Sequence, residues 1–264
     1  MLRNTFIHIH GIGPKTEQNL WHRGIHTWED FLSHEGPVLS RTRDPMVSAQ
    51  LEDSIKNRSD IRFFADRLPV SDVWRIFDQF KGKAVYLDIE TSGGYQGLDE
   101  ITVIGLYDGR TVHSFVNGWN LAEFELVIAT YELVITFNGS SFDLPFIRRC
   151  FPNISLPPGH IDLRFFLKKL GYQGGLKVVE KDFGILRDPE VGGMDGHEAV
   201  KLWRAYQWGD ENALDLLIKY NTADIVNLKP LMEKGFQMMK NRLRSRYQDA
   251  FPEGKGRGQD NSSY

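Results

Sequence analysis

Among its 264 residues the chain has a single cysteine, Cys150, so no intrachain disulfide is open to it. A lone thiol fits a reducing, cytoplasmic setting, and a buried, inert side chain is expected there. No apolar run approaches the roughly 20 residues of a membrane span. The opening "MLRNTFIHIHGIG" also lacks the apolar core of a secretory signal, so no membrane partner is expected. A strong basic excess is missing too: 32 Lys and Arg stand against 35 Asp and Glu, for a net charge of -3. Nucleic-acid binders are often strongly basic, so the total charge does not advertise that class. It does not exclude it, because the runs at 146–151, 164–171 and 175–181 are locally basic. Each could equally be a solvated helix face. Nothing in the sequence demands a dimer, and a monomer is expected.

What is present is an unusual strand. In "YLDIETSGG", Val85, Leu87 and Ile89 fall on one face, and Tyr86, Asp88 and Glu90 fall on the other, because side chains alternate with period two. Two adjacent carboxylates repel, and acids are depleted in strands. A divalent cation would account for them, since magnesium sits on one or two carboxylates plus substrate phosphates. A half-exposed strand with a solvated acidic face would account for them as well.

Along the chain, Pro14 opens a helix that carries Leu20 and Trp21 and stops at Gly24. Thr27 is the N-cap expected for a second helix, "TWEDFL". The "TFIHIH" segment before Gly11 reads as extended, residues 34 to 45 as a linker, and 46 to 80 as helices. From Lys83 strands and helices alternate. "AVYLDIE" is a strand, followed by two more joined through Asp108 and Gly109 as a hairpin. "NLAEFELVIATY" is a helix with Asn120 and Glu123 in capping-box spacing. "LVITFN" is a strand, "FDLPFIRRCF" a helix and "HIDLR" a short strand, and 197 to 243 is mainly helical. Such an order implies an α/β fold with a mixed sheet covered by helices. The end of the chain, "FPEGKGRGQDNSSY", has no apolar period and is expected to be disordered.

Two further acidic sites follow. Asp143 stands at a helix start, where an acid is an ordinary complement to the helix dipole. In "YNTADIVNL", Tyr220 and Asp224 share a face if the segment is helical. Alternatively Asn221 is an N-cap with Asp224 three residues on, a capping-box arrangement. Among the histidines, His8 with His10 and His22 with His26 have ligand spacing, but they lack acidic or cysteine company and read as surface residues. His160 and Asp162 read as structural or substrate-edge residues, and His197 and Glu198 as a helix start.

Taken together, these motifs resemble the DEDD exonucleases of the ribonuclease H-like superfamily. Asp88 and Glu90 match the family's Asp-x-Glu on the first strand. Asn138, Phe142 and Asp143 match its second motif, and Tyr220 with Asp224 its third, in the DEDDy form. The stretches "HIDLRFFLKKLGYQGGLKVVEKDFGI" and "GHEAVKLWRAY" resemble exonucleases related to family-B DNA polymerases. The N-terminal "GIGPKTEQNLWHRGIHTWEDFL" resembles YprB-like proteins.

The resemblance implies a five-stranded ribonuclease H-like domain at 83–243, behind a helix-hairpin-helix-like region at 1–40 and a helical connector at 41–82, with a disordered tail at 244–264. It implies two Mg2+ or Mn2+ ions, about 3.5 to 4 Å apart, on Asp88, Glu90, Asp143 and Asp224. Tyr220 would hold the attacking water. Asn138 would lie behind the ligands or near the terminal nucleotide with Phe142, and the small backbone from Thr91 would let a terminal sugar approach, unless it is just a turn. Gly11, Gly13 and Lys15 would meet a phosphate at a helix N-terminus, or else serve packing or partner docking. The implied activity is a 3′ to 5′ exonuclease on single-stranded DNA ends, with a DNA polymerase, helicase or repair protein as a possible partner. Rivals are an RNA exonuclease, an endonuclease on the same fold and a silent nucleic-acid-binding module.

Overall fold

The computed structural model describes residues 1–94 and 99–247. By contacts the chain divides into two compact units, Met1–Lys56 with the chain from Gln237 onward, and Asn57–Phe236.

In the first unit, α1 (Pro14–His22) starts on Pro14, whose missing N–H is no loss in a first helical turn. It ends before Gly24, whose φ of +81° suits a residue without a side chain. α2 (Trp28–Ser33) opens on a capping box between Thr27 and Asp30. The "TFIHIH" segment is a run of turns, not the expected extended chain. Its apolar residues do not alternate: Phe6, Ile7, Ile9 and Ile12 are all buried, and the Glu17 carboxylate accepts the N–H groups of Phe6 and Ile7 at 2.7 and 3.3 Å. His8 is likewise buried, 2.9 Å from the Ser54 hydroxyl and 5.4 Å from the Trp28 ring, which corrects its reading as a surface residue. His10 and His22 are exposed, and His26 is half-buried. α3 (Asp44–Lys56) ties down the linker before it, since Asp44 accepts the N–H groups of Val38, Leu39 and Ser40.

In the second unit, α4 (Ile61–Ala65), a 3-10 segment at Val70–Ile76 and α5 (Phe77–Phe80) lead into the sheet. Its strands are β1 (Ala84–Thr91), β2 (Ile101–Tyr107), β3 (Val112–Val116), β4 (Leu133–Thr136) and β5 (Gly159–Asp162). They lie in the order β3-β2-β1-β4-β5, antiparallel on the β3 side of β1 and parallel on the β5 side. The expected mixed five-stranded sheet is therefore present. The β2–β3 turn closes as anticipated, with Asp108 accepting the N–H groups of Arg110 and Thr111 and Gly109 at φ +95°.

Val85, Leu87 and Ile89 of β1 face a core shared with α6 (Phe124–Ile128) and α7 (Asp143–Cys150), through Phe124, Ile128, Phe146 and Ile147. Each such side chain contributes about 1.5–3 kcal/mol on burial, enough in sum to offset charged groups elsewhere on the strand. Two expectations fail here. Asn120 does not cap a helix; it accepts from Val116 and donates to Ser114, holding the end of β3. Cys150 is exposed, because α7 ends there and Phe151 takes the next place against the core.

Beyond β5 come α8 (Leu163–Lys168), α9 (Leu176–Asp182), α10 (Pro189–Gly192), α11 (Gly196–Gln207) and α12 (Glu211–Arg246). α11 and α12 cover the other sheet face through Val103, Trp203, Leu214, Leu217 and Tyr220. The first residues of the tail expected at 244–264, through Arg246, are helical as the end of α12, and past residue 247 the tail lies outside the described residues. No helix among the described residues is long and apolar enough to cross a membrane.

Candidate metal centre

Asp88 and Glu90 share the face of β1 that α12 covers, opposite Gly105 and Val103 of β2. α12 brings Tyr220, Asn221 and Asp224 to that face. One oxygen from each of Asp88, Glu90 and Asp224 lies within 4.8 Å of the other two. Residues 221 and 224 are in the middle of a 36-residue helix, so the alternative of an Asn221 cap with Asp224 three residues on is overturned. Asn221 instead serves the cluster. Its amide is fully buried and donates to the Asp88 carboxylate at 3.0 Å and to the Asp88 carbonyl at 3.3 Å. Gly105 permits this approach, because a Cβ there would stand 2.0 Å from Asn221 Oδ1. Sequence pattern assigns neither residue to the site, although a glycine inside a strand pattern is a signal of close approach.

Asp143 begins α7 and reaches across to β1, where its Oδ1 accepts the Ile89 N–H at 3.1 Å. It stands beside the group of three rather than within it. Burial pushes the Asp88 and Glu90 carboxyls well above the ordinary range, and the charges of Asp224 and Asp143 push both further. Burial also raises Asp143 to about 7, against the pull of its backbone hydrogen bonds. Asp224 rises to about 6 by burial, with Arg187 opposing. Tyr220, one helical turn before Asp224, is driven well above its ordinary value by burial and the neighbouring carboxylates, so it remains a neutral phenol.

The cations come from segments the sequence left as solvated or unassigned. Arg187 donates to both oxygens of Glu180 at 2.7 Å and also to Asp224, and Asn227 donates to Glu180 at 3.0 Å. Lys177, from one of the basic runs, places its ammonium 4.9 Å from the Tyr220 ring centre. The Arg187 guanidinium is thus shared by two carboxylates while Asp88 and Glu90 have no ion pair of their own among the described residues. Such an excess of buried carboxylate oxygens fits a hard divalent cation.

The loop after β4 holds two further candidates. Asn138 has φ +69°, which Asn tolerates better than most residues. Asp162 fixes it by accepting the N–H groups of Asn138 and Ser140 at 2.8 and 3.0 Å, and Arg164 donates to Asn138 Oδ1 at 2.6 Å. His160 sits 2.9 Å from the Thr136 hydroxyl, and burial lowers its pKa to about 4, so both His160 and Asp162 are structural here. The Phe142 ring is exposed and 5.8 Å from Phe146. Thr91 is half-buried and pairs with Ile101 just past a shift in register that follows Glu90. Gly11, Gly13 and Lys15 belong to the other unit: Gly11 has φ +82°, Gly13 precedes α1 as its N-cap, and Lys15 is exposed.

Fold and site together define an α/β protein with a buried carboxylate cluster on the first strand of a mixed sheet. The family model RNase_H_2, of the RNase H superfamily, matches residues 85–235, and the chain belongs to that superfamily. Among solved structures it is similar to the family B DNA polymerase of Pyrobaculum calidifontis, with TM-score 0.49 and 16% identity over 64% of this chain and 27% of the polymerase. Escherichia coli RNase D gives 0.45 and 18%, over 68% of this chain and 46% of that one. Brucella melitensis NrnC with bound Mg2+ gives 0.42 and 18%, over 66% and 81%. The chain thus spans less than half of the polymerase and of RNase D. No curated protein matches the sequence significantly.

Proposed function

We propose that this chain is a metal-dependent 3′ to 5′ exonuclease acting on single-stranded DNA ends. The observation that carries the reading is the meeting of Asp88, Glu90 and Asp224 within 4.8 Å, with Asp143 beside them and Tyr220 one turn from Asp224. Asp88, Glu90 and Asp224 would hold Mg2+ or Mn2+, two ions in the full site, with Asp143 as a further ligand, direct or through water. When bound, such ions supply Lewis acidity, acidifying water and stabilising charge on the attacking and leaving oxygens at phosphorus.

The chain's own groups do the rest. Asn221 fixes the rotamer of Asp88, and Ile89 fixes that of Asp143. Tyr220 stays protonated and so orients the attacking water by hydrogen bonding instead of removing its proton. Asn138, Phe142 and Thr91 would contact the terminal nucleotide, Phe142 by stacking its exposed ring. Residues 83–243 form the proposed catalytic segment and 41–82 its connector. Gly11, Gly13 and Lys15 of 1–40 are proposed to meet a DNA phosphate, supported by the free N–H groups at the start of α1.

The test is a 5′-labelled single-stranded DNA incubated with Mn2+, Mg2+ or chelator, with Asp88→Ala and a matched RNA alongside. A metal-dependent ladder shortening from the 3′ end and absent in the variant supports the reading. Binding without cleavage of either nucleic acid would overturn it in favour of a silent binding module.

A further inference from the structure

α11 presents one continuous exposed stripe. His197, Lys201 and Arg204 of the helix and Trp208, the C-cap that follows it, recur at intervals of four, three and four, the spacing of a single helix face, and all four are exposed. At the start of the helix Asp195 caps it by accepting the N–H groups of His197 and Glu198, and the Glu198 carboxylate accepts the Asp195 N–H. No acid pairs with Lys201 or Arg204 among the described residues. Trp208 is 91% exposed, and a large ring left so open has apolar area to lose to a ligand.

α11 also packs against β1, the strand that carries Asp88 and Glu90. Val200 of α11 packs so close to the chain leaving β1 that a Cβ on Gly93 would come within 2.6 Å of it. Lys177, above the Tyr220 ring, also feels the charge of the Asp195 cap. The stripe from His197 to Trp208 is about 16 Å long at 1.5 Å per residue. That is the length of roughly five stacked nucleotides at 3.4 Å each.

Resting on the nuclease reading above, we propose that this face of α11 is a binding track for single-stranded DNA, on which the strand leads away from the carboxylates. Lys201 and Arg204 meet successive phosphates, and Trp208 stacks a base several nucleotides from the cleaved end. The combination of a cationic line with an open aromatic ring is what sequence-tolerant recognition of single strands uses.

The experiment measures anisotropy of fluorescein-labelled oligodeoxynucleotides of two and eight residues in chelator, which separates binding from cleavage. Wild type is expected to bind the octamer more tightly than the dimer. Trp208→Ala is expected to weaken octamer binding about tenfold and to leave the dimer unchanged. Lys201→Ala with Arg204→Ala should lower the slope of log affinity against log salt by about 1.4, two contacts at roughly 0.7 each for single strands. All three side chains are exposed, so folding is retained, and circular dichroism checks it. Equal octamer affinity in wild type and both variants, or no octamer binding by wild type, overturns the track. A metal-dependent DNA ladder made by wild type in that case leaves the nuclease reading standing, and its absence fells that reading separately.

Discussion

Arg187 donates a hydrogen bond to Asp224 while both oxygens of Glu180, each at 2.7 Å, hold the same guanidinium. Arg187 and Glu180 are almost wholly buried, so their charges answer one another in place of water. Among the described residues, Asp224 is therefore the acid of the cluster that has a direct ion pair, while Asp88 and Glu90 have none.

Removing that charge should expose the balance. Arg187→Met leaves Glu180 and Asp224 buried without their counter-charge, a change that typically costs about 3–5 kcal/mol. Urea unfolding in chelator is expected to show a loss of that order, and saturating Mn2+ to recover part of it. An equal loss in both conditions would mean that the cation and the guanidinium do not share Asp224.

Neutralising a ligand should separate stability from activity. Asp88→Asn or Asp224→Asn is expected to abolish metal-dependent cleavage. Asp88→Asn in chelator should also melt at a higher temperature than wild type, because one of several mutually repelling carboxylates is gone. Normal turnover in Asp88→Asn would sink the proposed site.

Tyr220→Phe is expected to slow cleavage by roughly 10²-fold while leaving metal affinity within a small factor. The proposed role of the phenol is to orient water, and a neutral phenol gives no pKa near neutrality to the rate profile. Isothermal titration with Mn2+ together with single-turnover rates would check both halves.

The metal-free protein should weaken as pH rises. Asp143 at about 7 and Asp224 at about 6 hold protons in the folded chain that the unfolded chain, at about 4, has already released. Their contribution is complete below pH 4, declines above it and is gone once pH has passed through about 7. Melting in chelator at pH 5 and pH 8 should show the drop, and Mn2+ should largely remove it at pH 8. A higher melting temperature at pH 8 in chelator would contradict the raised values.

Gly105→Ala tests Asn221 without touching an acid. A methyl group 2.0 Å from the amide oxygen must displace it and loosen Asp88. Cleavage is expected to fall about tenfold or more, with a stability loss of about 1–3 kcal/mol from overpacking. Unchanged cleavage at unchanged Mn2+ affinity would show that Asp88 needs no such support.

Much of this fold is legible in local pattern. The alternation in β1, the Asp108-Gly109 turn, the Thr27 cap and the Pro14 start each depend on residues within a few positions of one another, so sequence alone determined them. It also determined that Asp88 and Glu90 share a face, because period two leaves no choice. Short-range pattern failed where a group outside the expected helix turn claimed the side chain. Asn120 and Asn221 look like caps, yet one ties down a strand end and the other reaches 133 positions back to Asp88. Arg187 and Glu180 could not be seen as parts of the site, because α9 and the segment after it come beside α12 only when the sheet is covered. Sequence set which residues carry charge and which face each strand presents. Tertiary structure alone decided which charges meet, because burial removes the water that would otherwise keep them independent.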